Sequence, residues 1–108
     1  MEVDEENMTV EQLVNQHRNE DALCAQIVEY TKAMTPIADM AILCNISESE
    51  LRELLRSDTH FIAVQYRKTK AKVGLELRRQ VLERAAAGAP TAIEEVKNLY
   101  SAFNKDNP

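Results

Sequence analysis

The stretch Ile37-Ala38-Asp39-Met40-Ala41-Ile42-Leu43-Cys44-Asn45-Ile46-Ser47-Glu48-Ser49-Glu50-Leu51-Arg52-Glu53-Leu54-Leu55-Arg56 decides the fold. It reads as two short helices joined by a three-residue turn. Helices that cross closely need a small residue where their backbones meet, and Ala41 supplies it. The turn needs a residue that accepts positive φ; Asn45 does, where glycine is commoner. Ile46 follows as the apolar plug in the angle between the helices. Leu51 and Leu54 face inward from the second helix, and Met40 and Cys44 complete the inner face of the first. The start and cap signals agree. Thr35-Pro36 offers a Thr cap with Pro at the first helical position. Ser47-Glu48-Ser49-Glu50 is a capping box, with Ser47 as cap and Glu50 reaching back.

Over these twenty positions the spacing resembles the DNA-binding helix-turn-helix. An exposed polar row on the second helix, Ser47, Ser49, Arg52 and Arg56, supplies the candidate base-reading side chains. Glu48, Glu50 and Glu53 set three negative charges on the same helix. Glu50 is accounted for by the capping box, and a glutamate can accept from a cytosine amino group. The alternative for the same pattern is an ordinary helical hairpin inside a bundle.

Upstream, residues 1–8 are acidic and polar and read as a flexible N-terminus. Thr9 caps a short helix over 10–17, and Asn19 caps a second over 20–33, in which Leu23, Ile27 and Tyr30 recur at helical spacing. Downstream, Asp58 caps a long segment read as helical from Thr59 to Ala87, roughly 43 Å at 1.5 Å per residue. Phe61, Ile62 and Val64 form one apolar patch on it; Val73, Leu77, Val81 and Ala85 form another. Between them residues 65–72 are nearly all polar and read as solvated. Gly74 marks a bend or a close contact. Gly88-Ala89-Pro90 stops the helix, and a last amphipathic helix carries Ile93, Val96, Leu99, Tyr100 and Phe103. Residues 104–108 read as a tail. The expected fold is all-α: four to five helices, with a helix-turn-helix at 37–56 inside a helical unit at 9–58. The long helix and the C-terminal helix, at 59–103, form the expected oligomerisation element.

Composition narrows the classes. The 108 residues include 44% hydrophobic and 29% charged residues, with only two glycines and three prolines. A core can form, while collagen-like, low-complexity and many-turned all-β chains are excluded. No apolar run approaches a membrane span. The acidic opening, Glu2, Asp4, Glu5 and Glu6, is unlike a signal peptide, so a cytoplasmic setting is expected. Cys24 and Cys44 give neither a disulfide framework nor a zinc spacing and read as buried thiols. His17 and His60 stand alone, as surface or helix-cap residues. No phosphate loop, nucleophile elbow or metalloprotease motif occurs, so neither catalysis nor a cofactor is expected.

The net charge of −5 is unevenly spread. Residues 59–87 hold seven bases against two acids, while residues 1–33 hold eight acids against two bases. Salt screens the distant acids over about 8–10 Å, so the basic segment can hold phosphate locally, through Arg67, Lys68, Lys70 and Lys72. Equally, it can pair with the acidic N-terminal third, in the same chain or a neighbour.

Beyond the helix-turn-helix, Phe61-x-x-x-x-Tyr66-Arg67-Lys68, Glu76-Leu77-Arg78-Arg79 and Ala85-Ala86-Ala87-Gly88-Ala89-Pro90-Thr91-Ala92-Ile93 follow in order. The arrangement resembles phage and prophage helix-turn-helix proteins of the terminase small-subunit type, over about residues 36–100. That resemblance implies a homo-oligomer that binds double-stranded DNA for a separate packaging ATPase. The acidic recognition helix, and the short stretch after the last helix, depart from that pattern; a stand-alone element-encoded DNA-binding protein fits equally. The rival from another class is a non-enzymatic protein-interaction or assembly module, in which the long helix pairs with its symmetry mate.

Overall fold

A computed structural model describes residues 10–87 and 90–108. The acidic N-terminus, the Thr9 cap and the Gly88-Ala89 step lie outside the described residues. Among the described residues five helices follow in chain order: α1 (Val10–Lys32), α2 (Ile37–Leu43), α3 (Glu48–Arg56), α4 (Phe61–Ala87) and α5 (Pro90–Lys105). Among the described residues there is no strand, and the fold is all-α.

The first segment departs from the sequence reading. Residues 10–32 form one helix of 23 residues, with Asn19 inside it and not at a cap. A mid-helix Asn costs only about 0.5–0.7 kcal/mol, too little to split a helix that lacks Gly and Pro. The helix ends at a Schellman turn: Met34 takes φ 56, its N–H bonds to the Thr31 carbonyl at 2.9 Å, and the Thr35 N–H bonds to the Tyr30 carbonyl at 3.0 Å. A non-glycine residue rarely takes this conformation. Pro36 then serves as N-cap of α2, so the helix starts one residue later than expected.

Helix α4 starts at Phe61, and Asp58 does not cap it. Two other acceptors serve the backbone amides there. Ser57 Oγ accepts from the Thr59 and His60 amides at 3.3 and 3.0 Å, and His60 Nδ1 accepts from the Ile62 amide at 3.2 Å. His60 is therefore the helix-cap histidine that the sequence allowed.

The core gathers at one end of the molecule. Ile27 of α1, Ile37, Met40 and Ala41 of α2, Leu51 and Leu55 of α3, and Ile62 and Tyr66 of α4 are all buried in one cluster. Thr31 is buried with them; its hydroxyl donates to the Ile27 carbonyl at 2.6 Å, which settles the polar group in place. Cys24 and Cys44 are half-buried and free, each with its thiol pKa raised, first by loss of solvent. The middle of α4 is solvated on one face only: Gln65, Arg67, Lys68, Ala71 and Lys72 are exposed as its polar composition suggested. Tyr66 and Thr69 are buried and Lys70 is half-buried. Phe61 and Val64, by contrast, are exposed, and the inward face runs through Ile62, Ala63 and Tyr66.

Away from this core, among the described residues, α4 continues with α5 beside it. Its 27 residues span about 40 Å. The chain measures 62 × 22 × 21 Å, with a radius of gyration of 17.6 Å against about 13 Å for a compact chain of this length. Gly74 marks a close contact: the Tyr100 ring of α5 lies where a Cβ would stand. Helix α5 returns to the core end, where Phe103 is buried.

Candidate nucleic-acid interface

The α2–α3 turn has the geometry its sequence requires. Asn45 takes φ 58. Its N–H bonds to the Ile42 carbonyl at 3.2 Å, and the Ile46 N–H reaches back to the Ala41 carbonyl at 3.1 Å. This is the same Schellman arrangement that ends α1, so both tight corners of the core are built alike. Ala41 is 2% exposed, leaving no room for a larger side chain at the crossing. Ile46 packs half-buried against the core, as a plug should. Ser47 caps α3, its Oγ accepting from the Glu50 amide at 3.1 Å. Leu51 and Leu55 are the buried anchors of α3, with Leu54 packed partly against them.

The outer face of α3 presents Ser47, Glu48, Ser49, Glu50 and Glu53 to solvent. Ser47 and Ser49 lie side by side, their hydroxyl oxygens 3.4 Å apart. The two arginines are differently placed. Arg52 is turned onto the segment after α5: it donates to the Asn107 carbonyl at 3.0 Å and to Asp106 Oδ1 at 3.3 Å, and its Nε donates to Glu48 Oε2 at 3.3 Å. Burial alone would lower the Arg52 pKa, but the bonds to Glu48 and Asp106 outweigh it and leave it raised. Arg56 donates to the main-chain oxygen of Pro108 at 2.8 Å. Residues 106–108, read from sequence as tail, thus lie along α3 and α2. Asp106 Oδ2 also accepts from the Ile37 amide at 2.7 Å.

The four phosphate candidates divide in two. Lys68 and Lys72 are exposed on α4. Arg67 instead closes the end of α3, donating to the carbonyls of Ser57 at 2.8 Å and Asp58 at 3.3 Å. Cations suit a helix C-terminus because the last carbonyls are unsatisfied and carry the negative end of the dipole. Lys70 points inward. Its Nζ donates to the Asp106 carbonyl at 2.8 Å and sits 4.9 Å from the centre of the Phe103 ring. Its pKa is lowered, first by loss of solvent, with Asp106 offsetting part of that loss. The neighbouring Tyr66 phenol is pushed up to about 12, first by burial and then by the Asp106 charge.

Sequence reasoning missed Asp106 and the inward turn of Lys70. Asp106 meets Ile37 across 69 residues, and no local pattern announces such a contact. Lys70 left a trace: Ile62, Tyr66, Thr69 and Val73 recur at helical spacing, and Lys70 borders that stripe.

Among the described residues no three His, Cys, Asp or Glu side chains are grouped to hold a metal, and no helix is long and apolar enough to cross a membrane. Comparison with protein-family models, with curated proteins and with solved structures gives no match for this chain.

Proposed function

We propose that this chain is a DNA-binding helix-turn-helix protein that acts as a homo-oligomer. The observation that carries the reading is the α2–α3 unit. A positive-φ Asn45, a buried Ala41 at the crossing and a Ser47-capped second helix hold the outer face of α3 clear of the core. A helix held in this way fits the major groove. Ser47, Ser49, Arg52 and Arg56 are the base-reading residues in this proposal, and Lys68 and Lys72 the phosphate contacts. Self-association leaves the charge balance of each chain at −5, but it lets several weak basic contacts act together on one duplex. It also suits the outer end of the α4–α5 pair, where a cavity of about 250 Å³ lies among Leu77, Val81, Leu82, Val96 and Tyr100.

The narrower form of the reading is a phage or mobile-element protein of the terminase small-subunit type, working in the cytoplasm with a packaging ATPase. It rests on the sequence resemblance alone.

Fluorescence anisotropy with a long duplex at low salt tests the proposal. Binding weakens with salt, and each phosphate contact contributes about −0.9 to the log–log slope. Replacing Lys68 and Lys72 with Ala lowers affinity for every duplex and flattens the slope by about 1.8 for each chain that contacts the duplex. Arg52→Ala relaxes sequence preference and leaves the slope nearly intact. Absence of binding to any duplex at low salt rejects the proposal.

One observation favours the assembly-module reading. Arg52, Arg56, Arg67 and Lys70 all spend donors within the chain. A chain that associates through α4 and α5 yet binds no duplex fits that reading.

A further inference from the structure

Four groups of the helix-turn-helix end converge on residues 106–108. The Arg52 guanidinium holds the Asp106 carboxylate and the Asn107 carbonyl, and Arg56 holds the Pro108 oxygen. The Ile37 amide bonds to the same carboxylate at 2.7 Å, and Lys70 to the Asp106 carbonyl at 2.8 Å. Phe103, 5% exposed, anchors the end of α5 from which the segment leaves. The segment offers these donors one carboxylate and three main-chain oxygens, all of them acceptors. Phosphate oxygens and base-edge acceptors present the same chemistry to an arginine. Arg52, whose Nη1 and Nη2 both bond to the segment, therefore cannot serve the segment and a duplex at the same time; Arg56 is held through Nε, which fixes its side chain but leaves its Nη donors.

We propose that residues 106–108 are an autoinhibitory latch: they occupy the Arg52 guanidinium and tether Arg56 in the DNA-free chain, and must leave before Arg52 reads a duplex. The inference rests on the DNA-binding reading above. A closed latch scales apparent affinity by the fraction of chains that are open, so a tenth open means about tenfold weaker binding. It also reverses the role of Lys70. As a phosphate contact, Lys70 strengthens DNA binding; as a latch residue, it weakens it.

The test compares duplex affinity at one low salt concentration for the parent chain, Asp106→Asn, Lys70→Met and Asp39→Asn. Asp106→Asn keeps an acceptor for the Ile37 amide and loses the charge. Lys70→Met keeps most of the side-chain stem among its apolar neighbours. Asp39 is exposed on α2 and outside the latch, so Asp39→Asn measures the gain from removing any one negative charge. The latch predicts roughly tenfold tighter binding for Asp106→Asn, tighter binding for Lys70→Met as well, and little change for Asp39→Asn. Weaker binding by Lys70→Met overturns it, since that residue would then face phosphate. Equal gains for Asp106→Asn and Asp39→Asn also overturn it, leaving net charge as the whole effect. If all four proteins bind alike, the latch fails and the DNA reading stands. If none binds, the DNA reading fails and the latch falls with it.

Discussion

Gly74→Ala sets two effects of known size against each other. Alanine is favoured over glycine within a helix by about 1 kcal/mol, and Gly74 lies inside α4. Against that gain, the new Cβ would stand 2.8 Å from Tyr100 Oη and 3.3 Å from both Cε2 and Cζ. Ordinary contact begins near 3.4 Å, so the ring must retreat by about 0.6 Å at its tip. Arg78 donates to the same hydroxyl at 3.3 Å, and half-buried Tyr100 joins α5 to α4. Overpacking of this kind costs about 1–3 kcal/mol, which cancels or exceeds the propensity gain. Gly74→Ala is therefore neutral or destabilising by up to about 2 kcal/mol in the parent chain. In a Tyr100→Ala background it stabilises by about 1 kcal/mol, giving a coupling of about 1–3 kcal/mol. Urea unfolding followed by helical circular dichroism measures all four corners of the cycle. Protein concentration must be held fixed, because self-association shifts apparent stability. An equal gain of about 1 kcal/mol in both backgrounds would refute the reasoning, because Tyr100 would then not rest on Gly74.

Ala41→Leu forces a large side chain into a crossing that is 2% exposed. A loss of about 1–3 kcal/mol or more follows, read from thermal melting; an unchanged midpoint contradicts the tight crossing. Tyr66 should ionise near pH 12 by ultraviolet absorbance, since burial favours its neutral form. Its folded pKa is raised, so its contribution is complete below about pH 10 and is lost as pH rises through about 12. A shift of that size corresponds to about 2–3 kcal/mol. A Tyr66→Phe chain with the same alkaline unfolding profile contradicts the assignment. Light scattering at micromolar concentration should give more than the 12.3 kDa of one chain, and Leu82→Lys, at a side chain 71% exposed, should shift it towards monomer. A parent chain that stays at 12.3 kDa removes the oligomer from the account.

Much of this fold is local and was readable. Pro36, Asn45 and Ser47 carry start, turn and cap chemistry within a few residues of where they act. Ala41, Ile46 and Leu51 then follow from helical spacing. The errors arise where short-range signals compete or where the partner is distant. Asn19 is a good cap in the abstract, yet nothing around it breaks the helix, so α1 runs through. The start of α4 is held by Ser57 and His60, which accept from the His60 and Ile62 amides, and not by Asp58 as its residue type suggests. Met34 gives no sign of positive φ in its residue type; the Schellman bonds at the end of α1 impose it. Residues 65–72 look solvated because polarity was read without phase, whereas Tyr66 and Thr69 share the face of Ile62. The placement of 106–108 across α2 and α3 depends on α5 folding back along α4, which no single segment encodes.

The central claim is that the outer face of α3 contacts duplex DNA, and nuclear magnetic resonance tests it most directly. The ¹⁵N-labelled full chain is titrated with a long mixed-sequence duplex at low salt, and amide shifts are followed residue by residue. The account predicts changes concentrated at Ser47–Arg56, at Lys68 and Lys72, and at the Ile37 amide as Asp106 leaves it. Spectra that do not change at low salt, or changes confined to the outer end of α4 and α5, would contradict it.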